Sequence, residues 1–79
     1  MSIENEVKSE ILRIAGKPDQ PDLLKSTTIL GDIGYNEMMC RELEDSLQVI
    51  ANRHATGKII RPGSITPEST VSDCIGKVK

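Results

Sequence analysis

The sequence predicts a small all-α protein, an irregular bundle of three main helices. Apolar residues recur at helical spacing in three separate stretches, and charged residues occupy the opposite faces. Glycine and proline separate the stretches and mark their ends. The β-branched pair Ile59-Ile60 would suit a strand, but the sequence offers no second strand to pair with it. With no Trp, no Phe and a single Tyr, the core is expected to be aliphatic.

The first predicted helix extends from Ser2 to Ala15. Ser2 is a good N-cap, because its hydroxyl can accept from a free backbone N–H of the first turn. One face carries four aliphatic residues at helical spacing, namely Ile3, Val7, Ile11 and Ile14. Gly16 is expected to end the helix, and Pro18 prevents its continuation.

The segment from Lys17 to Leu30 is predicted to be a long loop between the first two helices. Two prolines and two aspartates near its start disfavour regular helix. Four aliphatic residues still require burial: Leu23, Leu24, Ile29 and Leu30. The loop is therefore expected to pack across the core.

The central helix is the strongest prediction. Asn36 is its expected N-cap, and Gly57 is expected at the C′ position, where a left-handed conformation is common. Its apolar arc contains Met39, Cys40, Leu43, Leu47, Ile50, Ala51 and His54, and its polar arc contains Glu37, Arg41, Glu44, Asp45, Gln48 and Asn52. Met38 and Val49 fall on the polar side. Either another element covers them, or they form an exposed apolar spot within an acidic rim.

The C-terminal third is predicted to hold a last short helix. Its apolar residues are Val71, Cys74, Ile75 and Val78. Thr66, followed by Pro67, is one candidate N-cap, and Ser69 and Thr70 are equally good alternatives. A short extra turn near residues 61–66 is the expected fourth helix.

Composition limits the classes of function. The 79 residues form one domain, and the net charge is −2 without any clustered basic run, which disfavours nucleic-acid binding. No apolar run approaches the roughly 20 residues that span a bilayer, and the acidic N-terminus is unlike a signal peptide. We therefore expect a cytoplasmic monomer without membrane association. Cys40 and Cys74 are expected to be reduced core residues.

Several segments together resemble the acyl carrier protein family over nearly the whole chain, residues 1–79. Residues 2–11 (SIENEVKSEI) are similar to that family's opening helix, and residues 28–34 (TILGDIG) are similar to the turn before its second helix. Residues 60–62 (IRP) resemble the step after the second helix, and residues 65–75 resemble the run into the last helix. The resemblance implies an acyl-carrier-like bundle of three main helices plus a short fourth.

The resemblance also implies a prosthetic group, 4′-phosphopantetheine, esterified to a Ser at the start of the second helix. Here Glu37 occupies the position that matches the family's Ser, and a carboxylate cannot form the stable phosphodiester that a hydroxyl can. Asp45-Ser46-Leu47 also resembles the modification step. It lies in mid-helix at the edge of the apolar arc, so the alternative role of Ser46 is a core-margin hydroxyl bonded to the carbonyl of Glu42.

Two hypotheses about function remain open at this point. In the first, the chain carries an acyl or aminoacyl group on an arm at Ser46 or another hydroxyl. It then serves transferring enzymes of fatty acid or polyketide biosynthesis and is modified by a phosphopantetheinyl transferase. In the second, it is an arm-less interaction module that keeps only a docking surface. The residues predicted to form that surface are Met38, Glu42, Glu44, Asp45 and Val49.

No residue pattern indicates catalysis or metal binding, so the chain is not expected to be an enzyme. His54 lacks His, Cys or carboxylate partners at ligand spacing. Cys40 lies about four turns from His54 along the helix, too far for activation of its thiol. Gly57-Lys58 lacks the glycine-rich loop of a phosphate-binding motif.

Overall fold

The computed structural model describes residues 2–79 and contains three α-helices: α1 (Ile3–Ile14), α2 (Glu37–Arg53) and α3 (Val71–Val78). Each helix packs against the other two. Two short 3-10 turns, Pro21–Leu23 and Leu30–Ile33, lie in the long connection between α1 and α2. Residues 2–79 form no strand, only an isolated antiparallel bridge between Ile29 and Thr70. The predicted small all-α class is confirmed.

One aliphatic core joins the three helices. Its fully buried members from α1, α2 and α3 include Val7, Ile11, Leu12, Leu43, Leu47, Val71 and Val78. Ile3 and Ile75, which the sequence also assigned to the core, pack at its edge and are half-buried. Leu12 was not predicted on the apolar face of α1. It is buried because helices cover α1 on two sides, so a wider arc of its surface is closed to water.

The ends of α1 follow the predicted local chemistry. The Ser2 hydroxyl accepts a hydrogen bond from the backbone N–H of Asn5 at 3.2 Å. After the helix, Gly16 adopts a left-handed conformation with φ of +72°. The N–H of Lys17 then donates to the carbonyl of Leu12 at 2.9 Å, which completes a Schellman motif.

The C-terminal end of α2 differs from the prediction. The N-cap is Asn36, whose side chain accepts from the N–H of Met39 at 2.9 Å, but the C′ residue is Ala55 rather than Gly57. Ala55 has φ of +52°, and the N–H of Thr56 donates to the carbonyl of Ala51 at 3.1 Å. The prediction of Gly57 is wrong because the chain leaves the helix two residues earlier.

Residues 61–66 form turns rather than a short fourth helix. The physical reason is that the N–H groups of Gly63 and Ile65 bond to the Glu44 side chain, and within this segment only the N–H of Ser64 bonds to a preceding carbonyl, that of Arg61. Helix α3 begins after Thr70, one of the predicted alternatives. Thr70 and Asp73 form a reciprocal capping box, whereas Pro67 lies in the preceding turn.

Only two of the four aliphatic residues in the long connection are buried. Leu24 and Leu30 lie in the core, whereas Leu23 is 59% exposed and Ile29 is 40% exposed. The end of this connection is tied to the segment before α3. There the N–H of Leu30 donates to the carbonyl of Ser69 at 2.9 Å, and three further backbone hydrogen bonds link residues 26–31 to residues 67–72. These bonds fix the entry into α2.

Candidate docking surface on helix α2

The outer face of α2 carries a row of four residues, Met38, Glu42, Asp45 and Val49, which we name the outer stripe. Their spacing of four, three and four residues places them on one side of the helix, over about 16 Å of its length. Met38 is 73% exposed and Val49 is 54% exposed. No other element covers these two apolar residues, so the exposed alternative from the sequence is the correct one.

The charge of the outer stripe is negative. Glu42 and Asp45 are exposed between the two apolar residues. Among residues 2–79, neither of these carboxylates has an ion-pair partner within 4.0 Å. Glu37 adds a further exposed carboxylate one residue before Met38. The stripe is therefore an apolar row with free negative charges in its middle.

Glu44 does not belong to this surface, although the sequence placed it in the acidic rim. Its side chain is buried, and one carboxylate oxygen accepts from the N–H groups of Gly63 at 2.9 Å and Ile65 at 3.0 Å. The other oxygen lies 3.0 Å from Arg41 Nε, and Arg41 also donates to the carbonyl of Ile65. The loop before α3 packs on this side of α2. The Glu44 side chain, which the sequence placed in solvent, is therefore buried and holds this loop.

Gln48 holds the next part of the same loop. Its side-chain oxygen accepts from the N–H of Ile60 at 2.8 Å, and its nitrogen donates to the carbonyl of Lys58 at 3.1 Å. Ile60 is buried beside the helix, whereas Ile59 is 73% exposed. The exposure of Ile59 was not predicted from the sequence. An extended segment alternates its side chains, so the adjacent pair Ile59-Ile60 was the available indication.

Glu37 is the first residue of α2, and its side chain is 73% exposed. The N-cap residue Asn36 precedes it, and Nη1 of Arg41 lies 3.8 Å from its Oε2. The position is accessible to a modifying enzyme, but it presents a carboxylate. The residues at the start of α2 therefore do not fit phosphopantetheine attachment.

Ser46 fits the group no better. It is half-buried in the middle of α2, on the side that faces α1. Its hydroxyl oxygen accepts a hydrogen bond from Arg13 of α1 at 3.4 Å. The alternative role drawn from the sequence placed this hydroxyl on the carbonyl of Glu42 instead. Arg13 is itself paired with Glu10 at 2.6 Å. The Ser46 hydroxyl thus lies in a polar contact between two helices.

A buried carboxylate on α1 contacts the end of α2, and nothing in the sequence pattern indicated this contact. Glu6 is 8% exposed and bonds to both Arg53 and His54. The hydrogen bond with His54 lowers the pKa of the Glu6 carboxyl. Burial opposes this shift, and Arg53 lowers the pKa further. His54 was predicted to be without a partner on the apolar side, and its partner is Glu6.

The two cysteines are free and buried, as the sequence indicated. Burial raises the pKa of the Cys74 thiol to about 12, with a smaller contribution from Asp73. Burial also raises the pKa of Cys40. Nearby, the Tyr35 hydroxyl donates to the carbonyl of Ile11 at 2.7 Å, so it links the start of α2 to α1. These side chains are protonated and held in the core.

Two further findings concern residues 2–79. No helix in this part of the chain is long and apolar enough to cross a membrane. His, Cys, Asp and Glu side chains of the same residues form no cluster of three or more that could hold a metal ion. In comparisons with protein-family models, curated proteins and solved structures, no match to this chain was found.

Proposed function

We propose that this chain is a carrier-like interaction module that works without a prosthetic arm and docks a partner protein through the outer stripe of α2. The observation that carries the proposal is the start of α2. An exposed carboxylate, Glu37, stands where the resemblance to acyl carrier proteins requires a hydroxyl. The alternative hydroxyl, on Ser46, is half-buried in mid-helix and bonded by Arg13.

The partner is a protein with basic side chains around an apolar contact. Met38 and Val49 offer the apolar contacts, and Glu42 and Asp45 offer two carboxylates without internal partners. Opposite charges on the partner would speed association and fix its register on the helix. Such binding weakens with added salt, because exposed charges are screened.

Mass spectrometry tests whether the chain carries an arm. Wild-type protein, incubated with coenzyme A and a broad-specificity phosphopantetheinyl transferase, is expected to keep its mass. Glu37→Ser is expected to gain the phosphopantetheine mass, because the new hydroxyl lies at an exposed helix start. Modification of the wild type would contradict the proposal. Loss of that modification in Ser46→Ala would then show that Ser46 carries the arm and that the chain is an acyl or aminoacyl carrier.

A pair of synthetic peptides tests the docking surface. One is an amphipathic helix of Leu and Lys, and the other replaces every Lys with Glu. The basic peptide is expected to shift the backbone NMR signals of residues 38–49, and the acidic peptide is expected not to. Val49→Lys should weaken binding of the basic peptide at least about tenfold. Leu23→Lys is the matched control, since Leu23 is exposed outside the stripe.

Two results would contradict the docking proposal. If Leu23→Lys weakens binding as much as Val49→Lys, only net charge matters and the outer stripe is not a docking site. If Val49→Lys loses its helical circular dichroism, Val49 is part of the packed structure and the docking proposal is wrong.

A further inference from the structure

A second exposed surface of the chain is complementary in charge to the outer stripe. It is the segment Lys58-Ile59-Ile60-Arg61, which we name the basic loop. Ile59 is 73% exposed, and Lys58 and Arg61 on either side of it are exposed as well. Within residues 2–79 neither of these basic side chains has an ion-pair partner within 4.0 Å. The basic loop therefore has an apolar centre between two free positive charges.

The basic loop and the outer stripe lie on adjoining sides of α2. Gln48 fixes the loop by bonding on both sides of Ile59, to the carbonyl of Lys58 and to the N–H of Ile60. Val49 of the stripe is the next residue of the helix. Ile59 and Val49 nevertheless both remain more than half exposed, so the loop of one chain does not cover its own stripe. Both surfaces are available to the same neighbouring molecule.

We propose that two copies of this chain pair about a twofold axis, each placing its basic loop on the outer stripe of the other. A twofold arrangement forms the same contact between loop and stripe twice, and it closes the assembly at a dimer. In each contact, Ile59 meets the apolar residues of the stripe, and Lys58 and Arg61 meet Glu42 and Asp45. This pairing requires no other partner, so it is independent of the proposed function.

The size of the two contacts indicates a weak dimer. Each consists of a four-residue stripe and a four-residue loop, which is at the small end of specific interfaces. We expect a Kd of about 10 µM to 1 mM, and we expect it to rise with salt because exposed charges contribute. At low concentration the chain is then the monomer that the sequence predicts. At high concentration, pairing competes with any partner that docks on the stripe.

Sedimentation velocity on the purified wild-type chain tests the pairing. The sedimentation coefficient is expected to rise from the monomer value toward the dimer value between about 10 µM and 1 mM, and to rise less in about 0.5 M salt. A monomer value at every concentration would overturn the proposal. Species larger than a dimer would overturn the twofold arrangement, because they would show that the contact continues head-to-tail from one copy to the next.

Charge reversal identifies the surfaces that pair. Glu42→Lys with Asp45→Lys makes the stripe positive, and Lys58→Glu with Arg61→Glu makes the loop negative. For each double variant alone, the Kd of self-association is expected to rise at least about tenfold, because like charges then face each other. An equimolar mixture of the two is expected to recover the dimer, because every contact again joins opposite charges. A mixture that stays monomeric overturns the assignment.

Two controls complete the experiment. Asp19→Lys with Asp22→Lys reverses two exposed acids in the α1–α2 connection and is expected to dimerise like the wild type. If it dimerises less, net charge rather than the stripe controls association. Circular dichroism is the second control and checks that each variant is folded.

Ile59→Ser tests the apolar part of the loop without adding charge. Its self-association is also expected to fall, and unchanged association in this variant would overturn the role of the loop.

Discussion

Glu44 of α2 accepts a hydrogen bond from the backbone N–H of Ile65 at 3.0 Å, inside the protein. The same carboxylate oxygen accepts from Gly63 at 2.9 Å, so one buried side chain holds the loop that leads to α3. A buried N–H group without an acceptor costs free energy. This carboxylate therefore supplies the acceptor for two N–H groups, those of Gly63 and Ile65, that bond to no preceding carbonyl.

Removal of this anchor should destabilise the protein. Glu44→Ala leaves the N–H of Ile65 buried without its acceptor, and we expect the free energy of unfolding to fall by about 1–3 kcal/mol. Glu42→Ala is the control, because Glu42 is exposed on the same helix and should change stability by less than about 0.5 kcal/mol. Urea denaturation measures both. Equal effects would mean that the loop is not held by Glu44.

The centre of the core is best tested at Leu47, which is fully buried. Leu47→Ala should reduce the free energy of unfolding by about 2–5 kcal/mol, because the truncation removes apolar contacts and leaves a cavity. In a domain of 79 residues such a loss is comparable with the whole stability. Leu23→Ala, at a position that is 59% exposed, should cost far less. A loss under about 0.5 kcal/mol in Leu47→Ala would contradict the assignment of the buried face.

The C′ positions of α1 and α2 provide a matched pair. Both are left-handed, but α1 uses Gly16 and α2 uses Ala55. A left-handed conformation costs a non-glycine residue about 1–2 kcal/mol, part of which glycine loses again through its greater freedom in the unfolded chain. Ala55→Gly should therefore raise the melting temperature, with a gain of about 0.5–1 kcal/mol.

The reverse change, Gly16→Ala, should lower stability by about 1 kcal/mol. A Cβ added at Gly16 would meet no atom within 4 Å, so the loss would come from the backbone alone. Thermal unfolding of the two variants beside the wild type measures both effects. Opposite signs are required; a destabilised Ala55→Gly would show that the side chain of Ala55 contributes more than its backbone costs.

The contact of Glu6 with Arg53 and His54 should make stability depend on pH. The folded state lowers the pKa of the Glu6 carboxyl below its ordinary value of 4.5. The charged form therefore stabilises the fold above pH 4.5, and this contribution is lost as the pH falls through the lowered native pKa. Glu6→Gln should be less stable than the wild type at neutral pH, and the difference should shrink in acid.

Urea denaturation at a series of pH values from neutral to acid measures this difference. Glu42→Gln serves as the control, since it removes an exposed carboxylate that has no ion-pair partner within residues 2–79. A difference between wild type and Glu6→Gln that does not change with pH would mean that the Glu6 carboxyl contributes through packing rather than through its charge.

Local sequence chemistry was sufficient to predict the three helices and most of their ends. Ser2, Asn36 and Thr70 act as N-caps because each side chain reaches a backbone N–H within its own first turn. The periodicity of aliphatic residues likewise identified Val7, Leu43, Leu47 and Val71 as core residues, because a single helical face is buried wherever one neighbouring element covers it. These interactions involve residues close in sequence, so they can be predicted without the tertiary structure.

The sequence by itself thus determined the all-α class, the boundaries of the helices to within a few residues and the position of Met38 and Val49 on the polar side of α2. The tertiary structure decided that no other element covers these two residues. It also decided which polar residues became internal. Glu6 and Glu44 lie in helices whose patterns marked them as solvent-facing, yet both are buried. Their partners lie far away along the chain, at residues 53–54 and 63–65. A carboxylate becomes buried only when distant donors are brought to it, and this depends on how the helices and loops pack rather than on local periodicity.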